Sequence, residues 1–107
     1  MAYKVIETES FIKSLSETFD YILINFKNLT IVNEMLNTID DVSELLRLYP
    51  DMYAIFEPSY ELEFTIRKFP VKDYFVFYIV RDDLEEVQLL KIIHSSRNIY
   101  QINYLKE

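Results

Sequence analysis

An α+β fold in two layers is predicted for this chain: an N-terminal strand, then a helical hairpin lying across an antiparallel β-meander. Three observations predict it. Two stretches, one beginning at Phe11 and one at Val32, carry apolar residues at three- and four-residue steps, the period of an amphipathic helix. Two largely apolar runs follow in the last third, Tyr74 to Val80 and Val87 to Ile93, rich in aromatic and β-branched residues. The segment RDDLEE between them is a charged break at which the chain can reverse.

In chain order, Ala2 to Glu7 reads as a first strand, with Tyr3 and Val5 as β-formers. Thr8 stands where a helix N-cap belongs, and Glu9 follows it near the positive helix end. Residues 11, 12, 15, 19, 22, 23 and 26 form the first apolar stripe. Lys27-Asn28 breaks that stripe, and Thr30 is the candidate cap of a second helix. Its stripe runs through Val32, Met35, Leu36, Ile39, Val42, Leu46 and Tyr49 and closes at Pro50. So short a link predicts an antiparallel hairpin, whose apolar side covers one face of the sheet. Pro50 to Tyr60 reads as a loop. Leu62 to Arg67 alternates apolar and polar residues, as a half-buried strand does, and opens the meander. Asn98 to Leu105 fits neither helical spacing nor alternation well and is left open.

With 107 residues, a single domain spanning 1–107 is expected. Half the residues are hydrophobic, enough for burial to drive folding. No cysteine is present, which excludes disulfides and thiolate chemistry and fits a reducing cytosol. No glycine is present either, which excludes a Walker A loop and the dinucleotide fingerprint. The net charge of −7 argues against a broad phosphate-binding face. Met1 to Ser10 lacks the apolar core of a signal peptide, and no apolar run reaches the ~20 residues of a membrane span. A cytoplasmic protein without cofactor, metal or membrane partner is expected.

Among chemically capable residues, His94 is the only histidine. It closes the last strand, either as an acid–base group or as a strand-end ring bonded to backbone. Arg67 and Arg97 can lie near one end of the sheet and attract an anion, or pair with Glu61, Glu63 or Asp73. Lys68, Lys72 and Lys91 are further cations of this half. The run Tyr74, Phe75, Phe77, Tyr78 can stack on bases or fill a core. Asp40-Asp41 and Asp82-Asp83 read as a solvated helix face and a turn, not as metal ligands.

The order strand, helical hairpin, meander, with IRKFPVKDYFVFYIV followed by LLKIIHSSR, resembles the RelE/ParE toxin superfamily of type II toxin–antitoxin systems, also described by plasmid stabilisation. Arg67, Pro70, Tyr74, Phe77-Tyr78, His94 and Arg97 stand at the matching positions. The resemblance implies a growth-inhibiting toxin silenced by a small cognate antitoxin, with nucleic acid reached only through that antitoxin. One branch cleaves mRNA on the ribosome; the other inhibits DNA gyrase without a known catalytic set.

Where the RNase branch has an arginine after the tyrosine of the central strand, this chain has Phe75; where it has a second terminal arginine, this chain has Ser96. Metal-free phosphodiester cleavage needs such cations for the developing charge. The resemblance therefore implies the gyrase-binding branch: a protein that binds and does not turn over substrate. Its target surface would be Arg67, His94, Arg97, Tyr100 and Tyr104, with Arg67 and His94 at one rim of the sheet. The alternatives are an mRNA endoribonuclease using His94, Arg67 and Arg97, or a divergent module that only binds a partner. The antitoxin would meet the sheet edge or the hairpin.

Overall fold

The structure is a computed structural model that describes residues 2–56 and 64–96. Its elements run β1 (Lys4–Glu7), α1 (Glu9–Phe26), α2 (Leu29–Leu48), β2 (Ile66–Val71), β3 (Tyr74–Arg81) and β4 (Glu86–His94). The four strands form one sheet in the order β1-β4-β3-β2. Strands β2, β3 and β4 are the expected antiparallel meander, and β1 joins β4 in parallel, with Val5 opposite Val87. No helix among the described residues is long and apolar enough to cross a membrane.

Helix α1 begins as its sequence dictates. The Thr8 hydroxyl accepts the Phe11 amide at 3.1 Å, and it donates to the Leu89 carbonyl of β4 at 2.8 Å. One side chain thus caps the helix and ties it to the sheet. The start of α2 differs from the expectation at Thr30. Lys27 turns left-handed (φ 48°) to cap α1, and Asn28 then caps α2 at once, its Oδ1 accepting the Ile31 amide at 3.1 Å. Two residues complete the link, so Thr30 falls inside the first turn of α2. The α2 stripe buries Val32, Met35, Ile39, Val42 and Leu46 as expected, whereas Leu36 and Tyr49 stay exposed. On α1, Phe11 and Ile22 are buried, but Ile12, Leu23 and Phe26 remain exposed.

The strand expected over Leu62 to Arg67 lies later, at Ile66–Val71, and passes through Pro70. Its neighbour β3 lies on one side only, so a residue without an N–H is tolerated on this edge strand. The reversal is made by Lys72-Asp73, with Lys72 left-handed at φ 54°. The β3–β4 turn falls in the acidic segment as expected, with Glu85 at φ 52°. The three left-handed residues among those described, in a chain without glycine, each carry a local cost of about 1–2 kcal/mol.

The helices cover one face of the sheet, enclosing Phe69, Val71, Val76, Tyr78, Val87, Leu89 and Ile92. Burial of the opposite face was not expected. There Phe56, Ile66, Phe77, Ile79 and Ile93 form a second buried cluster, with Phe64, Phe75 and Leu90 packed against it. Four consecutive residues of β3, Val76 to Ile79, are consequently buried. The outer edge of β2 is met by its own preceding loop: the Phe56 amide donates to Ile66 (2.7 Å) and the Lys68 amide to Ala54 (3.4 Å). Beyond the end of β1, the Ile92 amide of β4 donates to the Ser14 hydroxyl of α1 at 3.0 Å.

Candidate functional site

Strands β3 and β4 end together, with Tyr74 opposite His94. The two rings meet edge to face, their centroids 4.9 Å apart. Just beyond, the Ser95 amide donates to the Asp73 carbonyl at 2.8 Å, and the chain folds back so that Ser96 reaches the imidazole. The Ser96 amide donates to His94 Nδ1 at 3.0 Å, and the Ser96 hydroxyl lies 2.7 Å from the same nitrogen. A nitrogen that accepts an amide proton carries none of its own. In its neutral form the ring therefore bears its proton on Nε2, which is a donor. Burial first, then the neighbouring Tyr21 and Asp73, holds the Tyr74 phenol above its ordinary range, so the phenol remains a neutral donor. The rim formed by Tyr74, His94 and Ser96 offers rings and hydrogen-bonding groups.

Arg67 does not share this rim, contrary to the expectation. It lies on the same helix-covered face but opposite Tyr78, four residues along β2 from Val71, the residue level with Tyr74 and His94. Strand geometry puts the two residues roughly 16 Å apart. The Arg67 guanidinium is engaged where it stands. It donates to the Tyr53 carbonyl at 2.7 Å and the Asp51 carbonyl at 3.3 Å, and its Nε lies 3.6 Å from the Asp51 carboxylate. Asp51, not Asp73, is its acidic partner among the described residues. Beside it the fully buried Tyr78 donates its hydroxyl to the Pro50 carbonyl at 3.0 Å. Burial pushes that phenol up to about 12, opposed in part by a backbone hydrogen bond and by the Arg67 charge. Together Arg67 and Tyr78 hold the loop after α2 against the sheet.

Two further cations are also engaged. Lys72 pairs with Glu34 of α2 at 2.9 Å. Lys68 sits over the Phe75 ring at 4.2 Å and near the Phe56 ring at 5.8 Å, on the face away from the helices. Phe75 and Phe77 lie on that face and Tyr74 and Tyr78 on the other, so the aromatic run is divided between the two. Asp83 is held below the usual carboxylate range by its hydrogen bond from Arg81, and Asp82 accepts the Tyr3 hydroxyl at 2.8 Å. Among the described residues no three His, Asp or Glu side chains converge as metal ligands would. Arg97, Tyr100 and Tyr104 lie outside the described residues, as do Glu61, Glu63 and the segment from Asn98 to Leu105. Sequence reasoning missed Ser96 as the partner of His94. The signal was its place two residues on, where a chain reversal returns an amide to the preceding ring.

A family model described as "ParE toxin of type II toxin-antitoxin system, parDE" matches residues 5–99. No curated protein matches the sequence. Among solved structures, the chromosomal ParDE toxin–antitoxin system from P. aeruginosa aligns with a TM-score of 0.65 at 13% identity, covering 87% of this chain and 96% of that one. A mutant of the E. coli toxin RelE in the free state aligns with a TM-score of 0.59 at 13% identity, covering 94% and 90%. The archaeal RelE–RelB complex from Pyrococcus horikoshii gives 0.50 at 18% identity, covering 91% and 99%. At these identities the structural likeness carries the fold, and the family model carries the membership.

Proposed function

We propose, on the premise that this chain belongs to the ParE toxin family of type II toxin–antitoxin systems, that it arrests growth by binding DNA gyrase or another replication protein in the cytoplasm and is neutralised by a cognate antitoxin. The observation that carries binding over catalysis is the Ser96 amide on His94 Nδ1. A general base needs a free lone pair within reach of the proton it takes, and this imidazole spends its lone pair internally. Phe75 and Ser96 supply no guanidinium where the RNase branch of the resemblance has two, and Lys72 is already paired. Hydrogen-bond donors on aromatic rings suit a protein surface, where such groups act as anchors.

The target surface in this reading is the His94 rim continued by Arg97, Tyr100 and Tyr104, while Arg67 holds the loop behind it. The antitoxin adds a strand along β1, where an open cleft of about 430 Å³ runs between residues 2–6 and the side of α2 at Ser43, Glu44 and Arg47. The test sets two assays side by side: DNA supercoiling by gyrase, and cleavage of ribosome-bound mRNA. Inhibition of the first with no cleavage in the second is expected. His94→Gln, which keeps an N–H donor, should hold most of the binding, and His94→Ala should weaken it about tenfold, the worth of one hydrogen bond. Cleavage that disappears in both variants would overturn the reading in favour of catalysis.

A further inference from the structure

Helix α1 runs in step with β4 toward the His94 rim. The Thr8 hydroxyl is tied to the Leu89 carbonyl at 2.8 Å and the Ser14 hydroxyl to the Ile92 amide at 3.0 Å. Six residues of helix rise ~9 Å and three of strand ~10 Å, so the two elements advance together. Past these ties, Tyr21 stands about 10 Å beyond Ser14, and His94 about 7 Å beyond Ile92. Tyr21 is two turns from Ser14 and hence on the same side of the helix. The helix therefore delivers Tyr21 to the end of β4, where Tyr74 and His94 meet. Tyr21 and Asp73 are also the groups that, after burial, hold the Tyr74 phenol up. Tyr21 is 55% exposed, and Phe26 braces its ring edge to face with centroids 5.9 Å apart.

Charge around these rings decides what they fit. Glu17, one helical turn before Tyr21, and Asp20 beside it are exposed, as is Asp73 next to Tyr74. No ion pair among the described residues engages any of the three. Lys72 of the β2–β3 turn is held instead by Glu34 at 2.9 Å. At the β3–β4 turn, by contrast, Asp83 pairs with Arg81 and Asp82 accepts the Tyr3 hydroxyl. Exposed rings bounded by unpaired carboxylates attract a cation twice, through the ring quadrupole and through opposite charge. Arginine suits them better than lysine, because its planar fork stacks on a ring while its edge donates to a carboxylate. The net charge of −7 steers a cationic partner toward the molecule.

We propose that Tyr21 completes the His94 rim as a receptor for an arginine side chain of the target protein, the guanidinium stacked on Tyr21 beside Tyr74 with Glu17 and Asp73 as counter-charges. This rests on the reading of the rim as the target surface, and it names the chemistry that the rim recognises.

A peptide with one arginine, acetyl-Gly-Arg-Gly-amide, tests the site without any target protein. Titrated into the isotope-labelled full chain at about 50 mM salt and followed by NMR, it should bind with a dissociation constant of about 1–10 mM. The shifts should centre on Tyr21, Tyr74 and the Ser95 and Ser96 amides, and binding should weaken about threefold at about 500 mM salt. Tyr21→Leu and Asp73→Asn, both at exposed positions, should each weaken it about two- to fivefold with circular dichroism unchanged. Equal binding of the citrulline peptide, which keeps the shape of arginine without its charge, overturns the proposal. So do shifts centred on Asp40-Asp41 or on the β3–β4 turn. Binding about tenfold tighter in Arg97→Gln overturns it too, because the chain's own arginine then holds the site. In the supercoiling assay, weaker inhibition by the Tyr21 and Asp73 variants supports the target as the partner, and a loosened antitoxin complex with unchanged inhibition overturns that assignment. A chain that leaves gyrase untouched sinks the gyrase reading alone, since the peptide titration still reads the site.

Discussion

Arg67 and Tyr78 share one task, and each can be tested by itself. Arg67 spans from β2 to two carbonyls and a carboxylate of the loop after α2. Arg67→Ala removes charge-assisted hydrogen bonds and is expected to cost about 1.5–3 kcal/mol in urea unfolding, with target affinity falling only as the folded fraction falls. Tyr78 makes alkaline stability measurable. Its folded value of about 12 lies above the ordinary 10.0, so the stabilisation is whole below pH 10 and is lost as pH rises toward 12. Within that window stability should fall by about 1.4 kcal/mol per pH unit from this group, a component that Tyr78→Phe removes. Urea unfolding at stepped pH checks it. His94 and Arg67 could be picked out of the sequence by type alone. Their partners could not: Asp51 lies sixteen positions before Arg67 and meets it only because β2 returns along that loop.

At the level of elements, the caps and reversals set stability. Lys27 pays the left-handed penalty at the end of α1, and Lys27→Gly should stabilise the protein by about 0.5–1 kcal/mol net of unfolded-chain entropy, read as a rise in thermal midpoint. Ser14→Ala leaves the Ile92 amide without its acceptor and should cost about 1–3 kcal/mol in denaturant unfolding. Thr8 and Pro50 announced helix boundaries correctly because capping and ring closure are local effects. Thr30 misled because a lysine adopted the conformation that glycine usually supplies, so the break was shorter than the sequence suggests. Pro70 misled in the opposite sense. The strand was expected to end at Arg67, before Pro70, and the proline's place on the outside of the sheet lets the strand run through it.

Across the whole molecule, burial on both faces makes β3 the centre of the fold. Its amides from Val76 to Ile79 should be the slowest to exchange with solvent, opening only in global unfolding, which hydrogen exchange followed by mass spectrometry or NMR can read. The sign of this lay in the sequence: Tyr74 to Val80 never alternates, as a strand with one wet face would. The layer of helices was legible from periodicity. The second cluster was not, because Phe56, which helps to form it, sits in a loop outside any periodic segment.

The unlike ways in which the strand edges are closed bear on how such a chain survives in a crowded cell. Half its residues are hydrophobic, and exposed strands of that composition template fibrils. Pro70 and the loop at Ala54–Phe56 guard one side, and the Ser14 hydroxyl blocks the far part of β4. Among the described residues only Lys4–Glu7 is left, four residues long with a charge at each end, enough for a chosen strand to dock and too little for chains to polymerise.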